Sequence, residues 1–354
     1  MATNAWKRHK GAREPGVLGT RLIDPADWRA EDIAGSEQWI YRLSAAEIAE
    51  IEDAVSGVEA RGLDIKDVTK DDFPLPGLAA GLAEVKDELF EGRGIAMIRG
   101  LPVEGRTRAQ VAAAFWGVGA HLGRQISQNR NGHVLGHVKD LGGDYAEANT
   151  RGYFTNARMG FHCDQCDVLA LACLHGAKSG GDHLVLSSVA LYNEILARRP
   201  DLAIELGGYF YRSRKGEIPP GETEPFAKQR VFGFQDGYFA GRGVSSAIDK
   251  GQDLPGVPKL TARQHEALEM FRGLAVERAV EIPFEHGDMF FLMNHVTLHS
   301  RNSFEDWPEP ERKRHLLRMW LTMPDRRPLP PYLADQRDGV TVEGTVLTAP
   351  LDVV

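Results

Sequence analysis

Residues 161–166 read Phe161-His162-Cys163-Asp164-Gln165-Cys166. In an extended chain side-chain direction repeats every second residue, so the His162 imidazole and the Asp164 carboxylate point the same way and Cys163 points to the other side. Such a pair supplies two ligands of a metal site, which one distant histidine can complete. Two histidines and one carboxylate on one face of a divalent iron leave its remaining positions open. His-x-Asp also occurs by chance as a surface or core pair, so its weight depends on what the rest of the chain offers.

The companion lies near the C-terminal end. Gly287-Asp288 leads into the apolar run Met289–Met293, followed by Asn294-His295-Val296-Thr297-Leu298-His299-Ser300-Arg301 and, after one loop, by Arg312-Lys313-Arg314-His315-Leu316-Leu317-Arg318-Met319-Trp320-Leu321. His299 and His295 are the candidates for the third ligand; His286 and His315 read as structural or surface histidines. Asn294 reads as a turn or hydrogen-bonding residue behind the site.

Between and before these segments the organisation is legible. Residues 1–35 form an irregular arm broken by Pro15, Gly16, Gly19, Pro25 and Gly35. Ser44 with Glu47 three residues on is a capping-box start, with Ile48, Ile51 and Val55 on one helical face. Leu78, Leu82, Val85 and Leu89 predict a second helix ended by Gly92 and Gly94, and residues 107–122 a third ended by Gly123. Residues 95–98 begin a buried strand. Further β-like runs follow at 133–138, 152–155, 168–174, 183–187, 208–213, 229–233, 278–282, 288–293 and 314–322, with helices after Ser188 and over 261–274. Short strands that do not alternate regularly with helices predict a mainly β, α+β fold, a barrel or double-sheet jelly roll with an N-terminal helical layer. No repeat and no long linker divides the chain, so 1–354 is expected to be one domain.

The bulk composition is that of a globular chain: 42% hydrophobic, 26% charged, net charge −8. Phosphate binding needs a cationic face, so nucleic acid is not an expected partner. No apolar run is long enough for a membrane span, and the basic N-terminus lacks the core of a secretory signal. Three cysteines cannot build a disulfide framework and suit a reducing compartment, so the cytoplasm is expected.

Taken together, Phe-His-x-Asp, the Ser179-Gly180-Gly181-Asp182 turn, the Asn-x-x-x-x-His run and the Arg-x-x-x-Arg strand resemble the taurine dioxygenase (TauD/TfdA) family of 2-oxoglutarate-dependent oxygenases, over about residues 90–325. The resemblance implies a double-stranded β-helix (cupin-like jelly-roll) core, iron(II) as metal, 2-oxoglutarate as cosubstrate, dioxygen as oxidant and a small-molecule substrate. It implies His162, Asp164 and His299 as the metal ligands, His299 standing before Ser300, Arg301 and Phe304 as the family's distal histidine does. It also implies Arg314 for the far carboxylate of 2-oxoglutarate, a group that a planar guanidinium can grip through two hydrogen bonds. Arg318 lies about 13 Å further along a regular strand, too far to share that carboxylate. It takes the place of the family's second arginine, which often meets an anionic group of the substrate; a structural ion pair is the alternative. His183 stands where the family often has a small hydroxyl residue near the cosubstrate, which leaves its part open between binding and packing. Asp164 favours hydroxylation or a related C–H oxidation over halogenation, because halogenating relatives lack this acid.

Polar residues near the motif are candidates for the substrate pocket: Asn129, within the cluster Gln125, Ser127, Gln128, Asn129, and Tyr153 and Asn156 on the approach to His162. Turn chemistry is the alternative for each. Cys163-x-x-Cys166 has no second pair to complete a zinc site. Gly241-Arg242-Gly243 begins like a dinucleotide turn but has Ser246 in place of the third glycine. A non-catalytic, cupin-like metal binder and a metal-dependent hydrolase are the rival functions; a homo-oligomer is compatible with the sequence.

Overall fold

Val168–His175 is apolar along nearly its whole length because both of its faces are covered. Leu169, Leu171 and Cys173 point to one side and join a core cluster with Phe290, Leu292, Leu316, Trp320, Val185, Val280 and Ile282. Val168, Ala170, Ala172 and Leu174 point to the other and join a larger cluster with Ala112, Phe115 and Leu89 of the N-terminal helices. The first cluster fills the space between two sheets; the second lies between sheet and helices.

The chain's computed structural model describes residues 5–143, 154–323, 326–334 and 337–353. The larger sheet runs in the order Ile40–Arg42, Ile95–Arg99, Met289–Met293, Val168–His175, His315–Thr322, Arg124–Ile126, with Gly136–Val138 also paired to His315–Thr322. All its pairings are antiparallel except that of the first two strands. The smaller sheet is Val280–Ile282, His183–Ser187, Thr297–Arg301. Its inward face carries Val280, Ile282 and Val185 and, in register with them, the polar residues His183, His299 and Arg301. Polar side chains turned into an otherwise apolar interior mark the position of the site.

Helices Ala45–Arg61, Ala79–Glu91 and Arg108–Leu122 form the N-terminal layer over the larger sheet. The Ser44–Glu47 capping box is present. The expected β core with helical layer is the fold observed, a jelly-roll oxygenase type; helix takes about 30% and strand about 22% of the described residues. The run expected at 229–233 is divided between Phe226–Gln229 and Phe232–Gln235, and the helix expected over 261–274 extends as Ala262–Arg278. Of the run expected at 152–155, residues 152 and 153 lie outside the described residues. Thr297–Arg301, the strand that carries His299, was not among the expected strands. Among the described residues no helix is long and apolar enough to cross a membrane.

Asp288, at the head of the Met289–Met293 strand, is fully buried and receives two hydrogen bonds from Arg99, each 2.7 Å, and one from the Glu285 amide at 2.7 Å. Removing one partner of a buried ion pair costs about 3–5 kcal/mol when the other charge is stranded; Arg99 keeps Glu285 at 2.7 Å, so the lower end applies. Asp288→Ala is therefore expected to lower stability by about 3 kcal/mol, read as a shift in the denaturant midpoint.

Candidate metal centre

Residues 159–162 run antiparallel to Thr297–Arg301 as an extra edge of the smaller sheet. The Met159 amide donates to the Arg301 carbonyl at 3.0 Å, and His162 and His299 exchange amide–carbonyl bonds of 3.0 and 3.1 Å. This main-chain bridge brings the two imidazoles together, ring centres 4.2 Å apart and planes tilted by 48°. Asp164 follows two residues on, and ligand atoms of His162, Asp164 and His299 all fall within 4.8 Å of one another. This is the only such cluster of three among the described residues.

Each ligand candidate is prepared by its surroundings. The His162 Nδ1–H donates to the Gly160 carbonyl at 2.8 Å, which leaves Nε2 as the lone-pair nitrogen, 4.0 Å from Asp164 Oδ1. His299 is buried, and its Nδ1 has no hydrogen-bond partner. Burial, and then the neighbouring His162, lowers its pKa to about 3; burial lowers that of His162 as well, so both rings are neutral at neutral pH. For Asp164, burial raises the pKa, but Arg318, the two imidazoles and the Trp320 indole together outweigh it and hold the acid at about 2. Two neutral imidazoles and one carboxylate are a donor set that suits iron(II).

The non-ligating side of the carboxylate is held as well. The Trp320 indole N–H donates to Asp164 Oδ2 at 2.8 Å, and Arg318 Nη1 stands 3.5 Å from the same oxygen. The Asp164 amide donates to Asn294 Oδ1 at 3.1 Å, and Arg242 Nη1 donates to the Asp164 carbonyl at 2.9 Å. Gly243 passes so close that a Cβ there would lie 2.3 Å from the His162 Cα. That contact accounts for Gly241-Arg242-Gly243, which begins like a nucleotide turn and here packs the metal motif. Cys163 points away from the cluster, its Sγ 3.4 Å from the Thr297 carbonyl.

Arg314 lies deeper, 3% exposed. Its Nη2 donates to His183 Nε2 at 3.0 Å and to the Gly181 carbonyl at 3.2 Å, while its buried Nη1 has no partner. Burial lowers its pKa to about 10, still well above neutral. No carboxylate among the described residues forms an ion pair with it. An unpaired guanidinium nitrogen inside the barrel suits the far carboxylate of a keto-diacid bound at the metal.

A cavity of about 430 Å³ opens over His162 and Asp164. Met159, Phe161, Val244, Phe271 and Val276 give it apolar walls; Arg158, Lys215, Ser245, Asp249 and Arg272 give it polar ones; Arg318 and Trp320 close it beside Asp164. Of the sequence candidates, Arg318 lines this cavity. Asn129 and Asn156 do not: Asn129 Oδ1 accepts from the Asn131 and His133 amides in its own turn, and Asn156 is exposed. Tyr153 lies outside the described residues. The competing ligand His295 is not in the cluster; it pairs with buried Asp167 at 2.8 Å. His286 and His315 meet His175 and His137.

Fold and site together define an oxidoreductase of the Fe(II)/2-oxoglutarate oxygenase class. A sequence model described as "Taurine catabolism dioxygenase TauD, TfdA family" matches residues 59–320, and the chain belongs to that family. It is 34% identical over 336 residues to FR-33289 synthase of Streptomyces rubellomurinus, covering 92% of this chain and 97% of that protein. It is 29% identical to the taurine hydroxylase-like protein SAT17 of Stachybotrys chartarum, covering 91% and 85%. Among solved structures it is similar to asparagine oxygenase in complex with Fe(II), 2S,3S-3-hydroxyasparagine and succinate (TM-score 0.63, 19% identity, 86% of this chain and 99% of that one). The non-heme iron oxygenase OrfP in complex with Fe and alpha-ketoglutaric acid is similar at TM-score 0.58 and 16% identity, covering 80% and 94%.

Proposed function

We propose that this chain, acting as one catalytic unit over 1–354, couples oxidative decarboxylation of 2-oxoglutarate to succinate and carbon dioxide with C–H hydroxylation, or a related oxidation, of a small anionic substrate. The observation that carries this is the pairing of the His162–Asp164–His299 cluster with the unpartnered guanidinium nitrogen of Arg314. Held by these residues, iron and 2-oxoglutarate would supply the oxidation: decarboxylation of the keto acid and oxidation of the substrate C–H bond would each give dioxygen two electrons, one oxygen atom ending in succinate and the other in the product.

The chain's own part is to place these groups. His162, Asp164 and His299 would hold the metal; Arg314 would take the far carboxylate of 2-oxoglutarate; His183 turns the Arg314 guanidinium by accepting its Nη2–H. The substrate would occupy the cavity beside His162 and Asp164, with its apolar part against Phe271 and Val276. Arg158, Lys215 and Arg272 carry positive charge around it. Among the described residues, Asp249 is the only acid of the wall besides Asp164, and it is paired with Arg272 at 2.7 Å. A cationic cavity in a chain of net charge −8 favours an anionic substrate. The three cysteines are all free, in keeping with a reducing cytoplasm.

With iron(II), ascorbate, 2-oxoglutarate and air, the purified protein is expected to release succinate slowly without substrate, and faster with small anions that fit the cavity than with their neutral esters. No succinate under any of these conditions, or turnover that persists without oxygen and 2-oxoglutarate, would overturn the proposal.

A further inference from the structure

We infer that Gln128 is a positioning residue for the metal centre: it fixes Arg318, which with Trp320 fixes the orientation of Asp164. The inference rests on the proposed function, since it assigns Asp164 to the metal.

Gln128 is 1% exposed and sits in the bend after Arg124–Ile126. Its side-chain amide meets Arg318 at both ends: Oε1 accepts from Arg318 Nε at 2.7 Å, and Nε2 donates to the Arg318 carbonyl at 2.9 Å. The second Nε2 hydrogen goes to the Val134 carbonyl at 3.1 Å. A carboxamide supplies acceptor and donors at once; a carboxylate keeps only the acceptor, and a thioether offers no donor and only a weak acceptor. With its Nε tied to Gln128, the Arg318 guanidinium presents Nη1 to Asp164 Oδ2, the oxygen that also accepts from Trp320. The Trp320 hydrogen bond and the Arg318 ion pair hold Oδ2, and leave Oδ1 on the side of His162, 4.0 Å from its Nε2.

The neighbouring strand makes room for this amide. Gly136 stands opposite Arg318 in the ladder, and a Cβ on it would lie 2.7 Å from Gln128 Oε1. Gly136→Ala therefore meets the far end of a flexible side chain and displaces the amide without forcing the backbone.

A partner in direct contact with a metal ligand is worth about 10–100-fold in metal affinity; Gln128 acts one contact further back, through Arg318, so the low end of that range applies. Titration with cobalt(II) under anaerobic conditions tests this on wild type, Gln128→Met, Gln128→Glu, Gly136→Ala and Asp164→Ala, with apo-protein melting temperature as the folding control. Gln128→Met and Gly136→Ala are expected to bind cobalt about tenfold more weakly than wild type. Gln128→Glu, which keeps the acceptor for Arg318 Nε, is expected to recover most of that loss. At saturating metal the 2-oxoglutarate KM should stay as in wild type, because Arg314 is untouched. Wild-type cobalt affinity in both Gln128→Met and Gly136→Ala would overturn the inference, and Gly136→Ala alone decides it if Gln128→Met does not fold. If wild type itself binds cobalt no better than Asp164→Ala, it is the metal assignment that fails.

Discussion

His299→Ala is expected to lose more than a hundredfold in affinity for iron(II) and to show no oxygen-dependent succinate formation, while remaining folded. A partner behind a metal ligand is worth about 10–100-fold, so loss of a ligand itself must exceed that range. The fold should survive because His299 gives its backbone, not its ring, to the smaller sheet: the amide and carbonyl pair with His162 and the ring makes no hydrogen bond among the described residues. Metal binding by anaerobic titration and far-UV circular dichroism check the two halves separately. Unchanged metal affinity would remove His299 from the site. The same substitution at His295 is a contrasting control, since that ring holds Asp167 at 2.8 Å and should cost stability instead.

Arg314→Met should raise the 2-oxoglutarate KM by on the order of a hundredfold, from loss of a buried charge-assisted contact worth about 3 kcal/mol. Its effect on the apo protein should have the opposite sign. Arg314 holds a buried charge near pKa 10 without an ion-pair partner among the described residues, and its Nη1 is unsatisfied. Taking an unpaired charge out of the interior relieves its desolvation cost, which offsets the hydrogen bonds lost at His183 and Gly181. The apo variant should therefore melt at or above the wild-type temperature while iron binding is retained. Measured together, KM, metal affinity and melting temperature separate a cosubstrate arginine from a structural one. A wild-type KM would remove Arg314 from the cosubstrate site.

The sequence was legible where a rule is local. Ser44 and Glu47 set a helix start through their own hydrogen bonds, and His162-x-Asp164 needed only the two-residue period of an extended chain. Longer apolar runs such as Val168–His175 were visible because two covered faces leave no polar residue in them. Thr297–Arg301 was hidden by the same logic: its inward face carries His299 and Arg301 in place of apolar residues, so no period stood out. Contacts made across the fold were also out of sight. Trp320 falls within the strand expected at 314–322, and only the packing of that strand beside the 162–164 segment turns its indole toward Asp164. Arg242 and Gly243 likewise acquire their part from proximity to residues far away in the chain. Asn129 shows the converse, a polar residue near the motif whose side chain is used up by its own turn.

Because His162 and His299 meet through their backbones, the coordinating pocket is a product of chain closure between distant segments. Contacts of such long sequence separation form late, after the loop between them has given up its entropy. A ferrous ion held by His162, Asp164 and His299 would therefore find its full set of ligands only once that closure is made. Its stabilisation would fall on the finished molecule, as a latch that slows unfolding and leaves the rate of folding alone.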